Sequence, residues 1–108
     1  MMSSALVILL LAAAPNSAAK SRDAYARCLK DVVKASAEKK LEAVAFDAAL
    51  ASACKSEEGL FKASMISSHI GMGMKRDHAE KALVEEIADY RTMVKEDFKA
   101  ALADAPKP

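Results

Sequence analysis

The sequence predicts an all-α protein: a small bundle of about four helices whose first two form a disulfide-stapled hairpin. Three observations carry this. The 108-residue chain has no Pro between Pro15 and Pro106 and only three Gly, so little interrupts helix propagation. From Lys20 onward, 18 of 89 positions are Ala, the strongest helix former. There is no Asn-Gly or Asp-Gly hairpin signal and no alternating β-branched run, so no strand pattern competes.

The first 19 residues read separately. No charged side chain precedes Lys20, and Ala5 to Ala14 is an uninterrupted apolar run of ten. A membrane-spanning helix needs about 20 such residues; ten suits the apolar core of a secretory signal peptide. Pro15 and Asn16 follow, then Ser17-Ala18-Ala19, whose small residues fit signal peptidase cleavage after Ala19. The n-region lacks Lys and Arg, and no Cys follows the cleavage point to take a lipid. The expected product, residues 20–108, is a single periplasmic or secreted domain with no membrane span.

Within it, Tyr25, Cys28, Leu29, Val32 and Val33 form one apolar stripe, predicting a helix over 21–35. Ser36 to Lys40 is the expected turn. A second helix, 41–55, carries Leu41, Val44, Ala45, Ala48, Ala49 and Ser52 on one face and Phe46, Leu50 and Ala53 on an adjoining row. So wide an apolar arc predicts the most buried helix. Ser56 reads as the N-cap of a third helix, 57–69, with Glu57 and Glu58 in its first turn and Leu60, Phe61, Ser64, Met65 and Ser68 facing inward. Gly71 and Gly73 end it. Asp77 and Glu80 have capping-box spacing and open a last helix, 78–104, striped by Leu83, Ile87, Tyr90, Val94, Phe98 and Ala101.

The cysteines constrain the topology. Cys28 and Cys54 are an even pair in a chain read as exported, which favours a disulfide. On one straight helix their Cα atoms would stand about 39 Å apart, whereas a disulfide needs about 7 Å or less. A bond therefore requires the chain to reverse between them. The alternative is a pair of free or redox-active thiols, although the spacing is unlike Cys-x-x-Cys. Charge layout suits a reversal. Residues 20–40 hold seven Lys/Arg against three acids, net +4, and residues 41–58 hold one Lys against four acids, net −3. Neighbouring helices of opposite sign attract. The whole chain carries only +1, which argues against a nucleic-acid partner.

Chemistry-bearing motifs are few. His69 and His78 are the only histidines, and their spacing fits no zinc motif. Asp77-His78 and Ser68-His69 are sequence neighbours, whose side chains diverge on a helix. No G-x-S-x-G, HExxH, P-loop or GxGxxG occurs. The one local concentration is Met65, His69, Met72 and Met74, the ligand types that a soft ion such as Cu(I) prefers. Against that stands a packing role: Met65 in the core, Met72 and Met74 plugging a loop. The expectation is a non-enzymatic interaction protein without a cofactor, engaging an envelope protein or a second copy through Leu83, Ile87, Tyr90, Val94 and Phe98. Copper binding at the Met/His group is the alternative.

The arrangement Tyr25-x-x-Cys28-Leu29, Phe46-x-x-x-Leu50-x-x-x-Cys54, Glu57-Glu58 and Glu86-Ile87-x-x-Tyr90-Arg91 resembles a group of small exported helical proteins of Gram-negative bacteria. The likeness spans most of residues 20–108. It implies export, helices and a cysteine pair. The group has no assigned activity, so no functional residue is carried over.

Overall fold

A computed structural model gives the fold and describes residues 17–104. The apolar run and n-region behind the signal-peptide expectation lie outside those residues. The described chain is all-helical: α1 (Met2–Glu38, described from Ser17), α2 (Ala43–Ala53), α3 (Lys55–Gly71) and α4 (Arg76–Asp104). Pairings between helices set their directions. Ser21 meets Ser64, Tyr25 meets Phe61, and Cys28 meets Cys54, so α1 runs antiparallel to α3. Glu58 meets Arg91 and Phe46 stacks on Phe98, so α4 runs antiparallel to both α2 and α3. The bundle thus has three rods: α1, the α2–α3 pair and α4.

The core is a single cluster running the length of the bundle. From α1 it takes Tyr25, Leu29, Val33 and Ala37, the predicted stripe extended by one turn. From α4 it takes Leu83, Ile87, Val94 and Phe98, with Tyr90 and Ala101 packed partly buried beside it. Aromatic rings organise it in two groups. Tyr25 stacks on Phe61 at 5.4 Å, and Tyr90 sets its edge against both. Phe46 and Phe98 stack at 4.1 Å. These five rings are all the aromatics in the sequence, and in an interior this rich in alanine they supply the largest buried surfaces.

The Cys28–Cys54 disulfide is formed, with Cα atoms 6.0 Å apart, and the chain reverses between its ends as required. The reversal falls later than expected. α1 continues through Ser36, which is buried, and through Ala37 to Glu38, because nothing in 36–38 breaks a helix and Ala37 keeps the core spacing. The helix ends in a Schellman motif: Leu41 N–H donates to Ser36 C=O and Lys40 N–H to Ala37 C=O. Lys40 occupies the left-handed position at φ 54°. The end of α3 repeats the motif with the usual residue. Met74 N–H donates to His69 C=O and Gly73 N–H to Ile70 C=O, with Gly73 at φ 99°.

Five further expectations are corrected. α2 stops at Ala53 and α3 starts at Lys55, joined by Cys54 alone (φ −112°, ψ 21°), so Ser56 lies inside the first turn and is not the cap. α4 starts at Arg76, one residue before Asp77, and Glu80 pairs with Arg76 at 3.8 Å, so no capping box forms. α2 is not the most buried helix. Only Phe46 and Leu50 are buried in it, while Val44 is 81% exposed. The row with the two large side chains faces the core, since turning the alanine row inward would bury far less surface. On α3, Leu60 likewise faces out, at 62% exposure. Nor do the opposite charges of the hairpin arms meet in ion pairs among the described residues. Asp47 pairs with Lys95 and Glu58 with Arg91, both on α4.

Two outcomes follow from these features. The disulfide closes a sequence separation of 26, so Cys28→Ser with Cys54→Ser should lower unfolding stability by about 3–4 kcal/mol in urea titrations; equal midpoints would contradict this. Gly73→Ala places a Cβ at φ 99° and should cost about 1–2 kcal/mol in the same titration.

Candidate functional site

Two places bring functional groups together. The first is a polar cluster between three helices. Glu58, in the first turn of α3 and favoured there by the positive helix end, points between α1 and α4. Its Oε1 accepts from Tyr25 Oη at 3.0 Å and from Arg91 Nη2 at 2.8 Å, and Lys62 Nζ stands 3.8 Å from Oε2. Burial, then the hydrogen bond to Glu58, then the charge of Glu58 push the Tyr25 hydroxyl up to about 12, against the opposing effect of Arg91. Partial burial pulls Arg91 down, but the hydrogen bond and charge of Glu58, with Tyr25 alongside, more than offset it, so the guanidinium titrates above the ordinary arginine range. Tyr25 and Arg91 are each held in their ordinary charge state. A phenol that keeps its proton and a carboxylate already carrying two donors make a lock between helices, not a poised acid and base.

The second place is an open groove of about 500 Å³ where α1 and α4, running parallel, end side by side. Its floor is Val33, Ala37 and Ala101. Alanines from the two helices line the place where larger side chains would close the gap, so space remains between the rods. Lys30 and Lys34, one turn apart on α1, rim it with Lys40, Glu38 and Asp104. None of these five makes an ion pair among the described residues. A second groove of about 440 Å³ lies across α4, between it and α2, over the Phe46–Phe98 stack.

The residues of the expected Met/His group differ in their surroundings. Met65 is buried in the core, with Arg22 Nη2 3.6 Å from its sulfur across α1. Met72 is 74% and Met74 37% exposed beyond the end of α3. His69 is half-buried on α3, and its Nδ1, shielded from solvent, makes no hydrogen bond among the described residues. A cation beside the Met65 sulfur opposes a metal ion bound there. His78 is exposed near the start of α4.

The stripe expected to meet a partner is also reassigned. Leu83, Ile87, Val94 and Phe98 are buried in the bundle's own core and Tyr90 is half-buried against Tyr25 and Phe61. The outer face of α4 carries Val84 and Met93 instead, both more than half exposed.

Sequence reading missed two groups of residues. Tyr25 entered it as a stripe residue, Glu58 as a first-turn acid and Arg91 through the resemblance, none of them as interacting partners. The groove went unnoticed because its signal is subtle: Ala37 and Ala101 continue the apolar stripes of α1 and α4 with side chains too small to fill the interface.

No protein-family model, curated protein or solved structure matches this chain.

Because Tyr25 keeps its proton to about pH 12 when folded, against about 10 when unfolded, the native state binds more protons across that window and stability falls as pH rises through it. Tyr25→Phe should flatten this alkaline loss in denaturant titrations between pH 9.5 and about 11.5; unchanged slopes would contradict the assignment. Glu58→Gln, which leaves Arg91 without its counter-charge, should cost about 1–3 kcal/mol at neutral pH.

Proposed function

We propose that this chain is a non-enzymatic interaction protein of the bacterial periplasm or the secreted fraction. In this reading a signal peptide is removed near Ala19 and residues 20–108 act as an adaptor, inhibitor or envelope accessory. One observation carries the reading. The polar cluster Tyr25–Glu58–Arg91 ties three helices together, while grooves and exposed apolar side chains lie on the outside of the resulting scaffold. That division suits a rigid platform that presents surfaces, and it offers no nucleophile–base–orienter set. The Cys28–Cys54 bond suits an oxidising compartment.

The direct test is crosslinking in intact cells, followed by mass spectrometry of the captured complexes and sedimentation of the purified protein. The expected result is a reproducible envelope-protein adduct or a self-dimer, with a mature N-terminus at or near Lys20. A monomer in solution with no specific adduct in cells, or a chain retained in the cytoplasm with its leader intact, would overturn the reading.

A further inference from the structure

From the groove between the ends of α1 and α4 we infer a binding site for a single-chain anionic amphiphile, a fatty acid anion. This rests on reading the protein as a non-catalytic binder and names the ligand class of one surface. Capacity comes first: about 500 Å³ lies within the range of small-ligand pockets. Surface comes next. Val33, Ala37 and Ala101 give the groove an aliphatic floor, and the methylene stems of Lys30 and Lys34 extend it. A hydrocarbon chain laid there replaces water over apolar atoms on both partners.

Charge then selects the head group. Lys30 and Lys34 lie on successive turns of α1, both exposed and without ion-pair partners among the described residues. Glu38, Lys40 and Asp104 also rim the groove, nearer the helix ends. The C-terminal carbonyls of the two parallel helices repel an anion, but that effect fades within the last turn. The head group therefore sits toward Lys30 and Lys34, one or two turns back from Glu38, with the chain running over Ala37 and Ala101. The groove across α4 has an aromatic floor but a rim of mixed sign, with Glu42, Asp47 and Glu96 set against Lys95 and Lys99, and so selects no charge.

The test uses the purified, disulfide-bonded protein and three probes below their micelle concentrations: laurate, dodecyltrimethylammonium and acetate. Calorimetry should show saturable one-to-one binding of laurate, at least ten-fold weaker binding of the cationic amphiphile and none of acetate. Lys30→Gln with Lys34→Gln should weaken laurate five-fold or more, the order expected for removing two exposed charges. Ala101→Leu, which fills the groove at a half-buried position, should abolish binding while leaving the thermal melting point equal or higher, separating loss of the site from loss of the fold. Equal binding of the two amphiphiles, or laurate binding unaffected by Ala101→Leu, overturns the proposal. So does binding to phosphatidylglycerol vesicles without saturable binding of laurate, which would make the lysines a membrane-facing patch. Laurate recovered chemically unchanged supports both this site and the non-catalytic reading. Laurate recovered altered, with Ala101→Leu still blocking binding, supports the site and overturns the non-catalytic reading.

Discussion

The bundle depends on one carboxylate. Glu58 projects from α3 to a point where α1 and α4 also arrive, and a single oxygen, Oε1, accepts from both Tyr25 and Arg91. The surrounding core is permissive. Small and aliphatic side chains can slide past one another at modest cost, because burial is non-directional. A partly buried charge cannot, since it loses water and must recover hydrogen bonds with defined geometry. A shift of one turn along α1 or α4 would carry Tyr25 or Arg91 about 5 Å away from its acceptor. The contact thus discriminates among registers that the apolar stripes alone would leave close in energy. The ring group of Tyr25, Phe61 and Tyr90 lies beside it, so the polar and aromatic constraints act on the same section of the bundle.

From that section toward the C-terminal ends of α1 and α4, the contacts follow in order. Next to it stands the disulfide, then the Phe46–Phe98 stack, then the ends of α1 and α4, where Ala37 and Ala101 leave space. The grooves of about 500 Å³ and 440 Å³ sit at this end, and another of about 450 Å³ lies between α3 and α4 beside Lys62 and Arg91.

What could be read in advance followed from patterns repeated over many residues or from a hard geometric limit. The stripe on α4 returns five times, so its apolar face was legible, although that face was assigned to a partner and packs in the bundle's own core. The Cys28–Cys54 distance limit forced a reversal without any turn signal. Gly73 announced the end of α3, because its left-handed backbone favours the one residue without a Cβ. The same turn at the end of α1 was displaced in the reading because Lys40 occupies the equivalent position, and a lysine there carries no signature. The break at Cys54 was hidden for a related reason: neither Gly nor Pro marks it, and a cross-link to α1 holds it. The inward face of α2 was misread because alanines outnumber Phe46 and Leu50, although two large side chains outweigh a row of small ones. The Glu58 cluster joins residues more than 30 positions apart, which no local pattern encodes.

The single-residue junction at Cys54 separates the bundle into unequal tiers of cooperativity. α2 rests on two buried side chains and has no side-chain cap at its start, so its amides exchange with solvent through a local opening far smaller than global unfolding. The cross-link sits where that opening must stop. Fraying can run from Ala43 to Ala53, but at Cys54 it meets a covalent tie to α1 and, four residues on, Glu58. Local opening of α2 therefore ends at that tie, and what it costs the rest of the bundle is the Phe46–Phe98 stack.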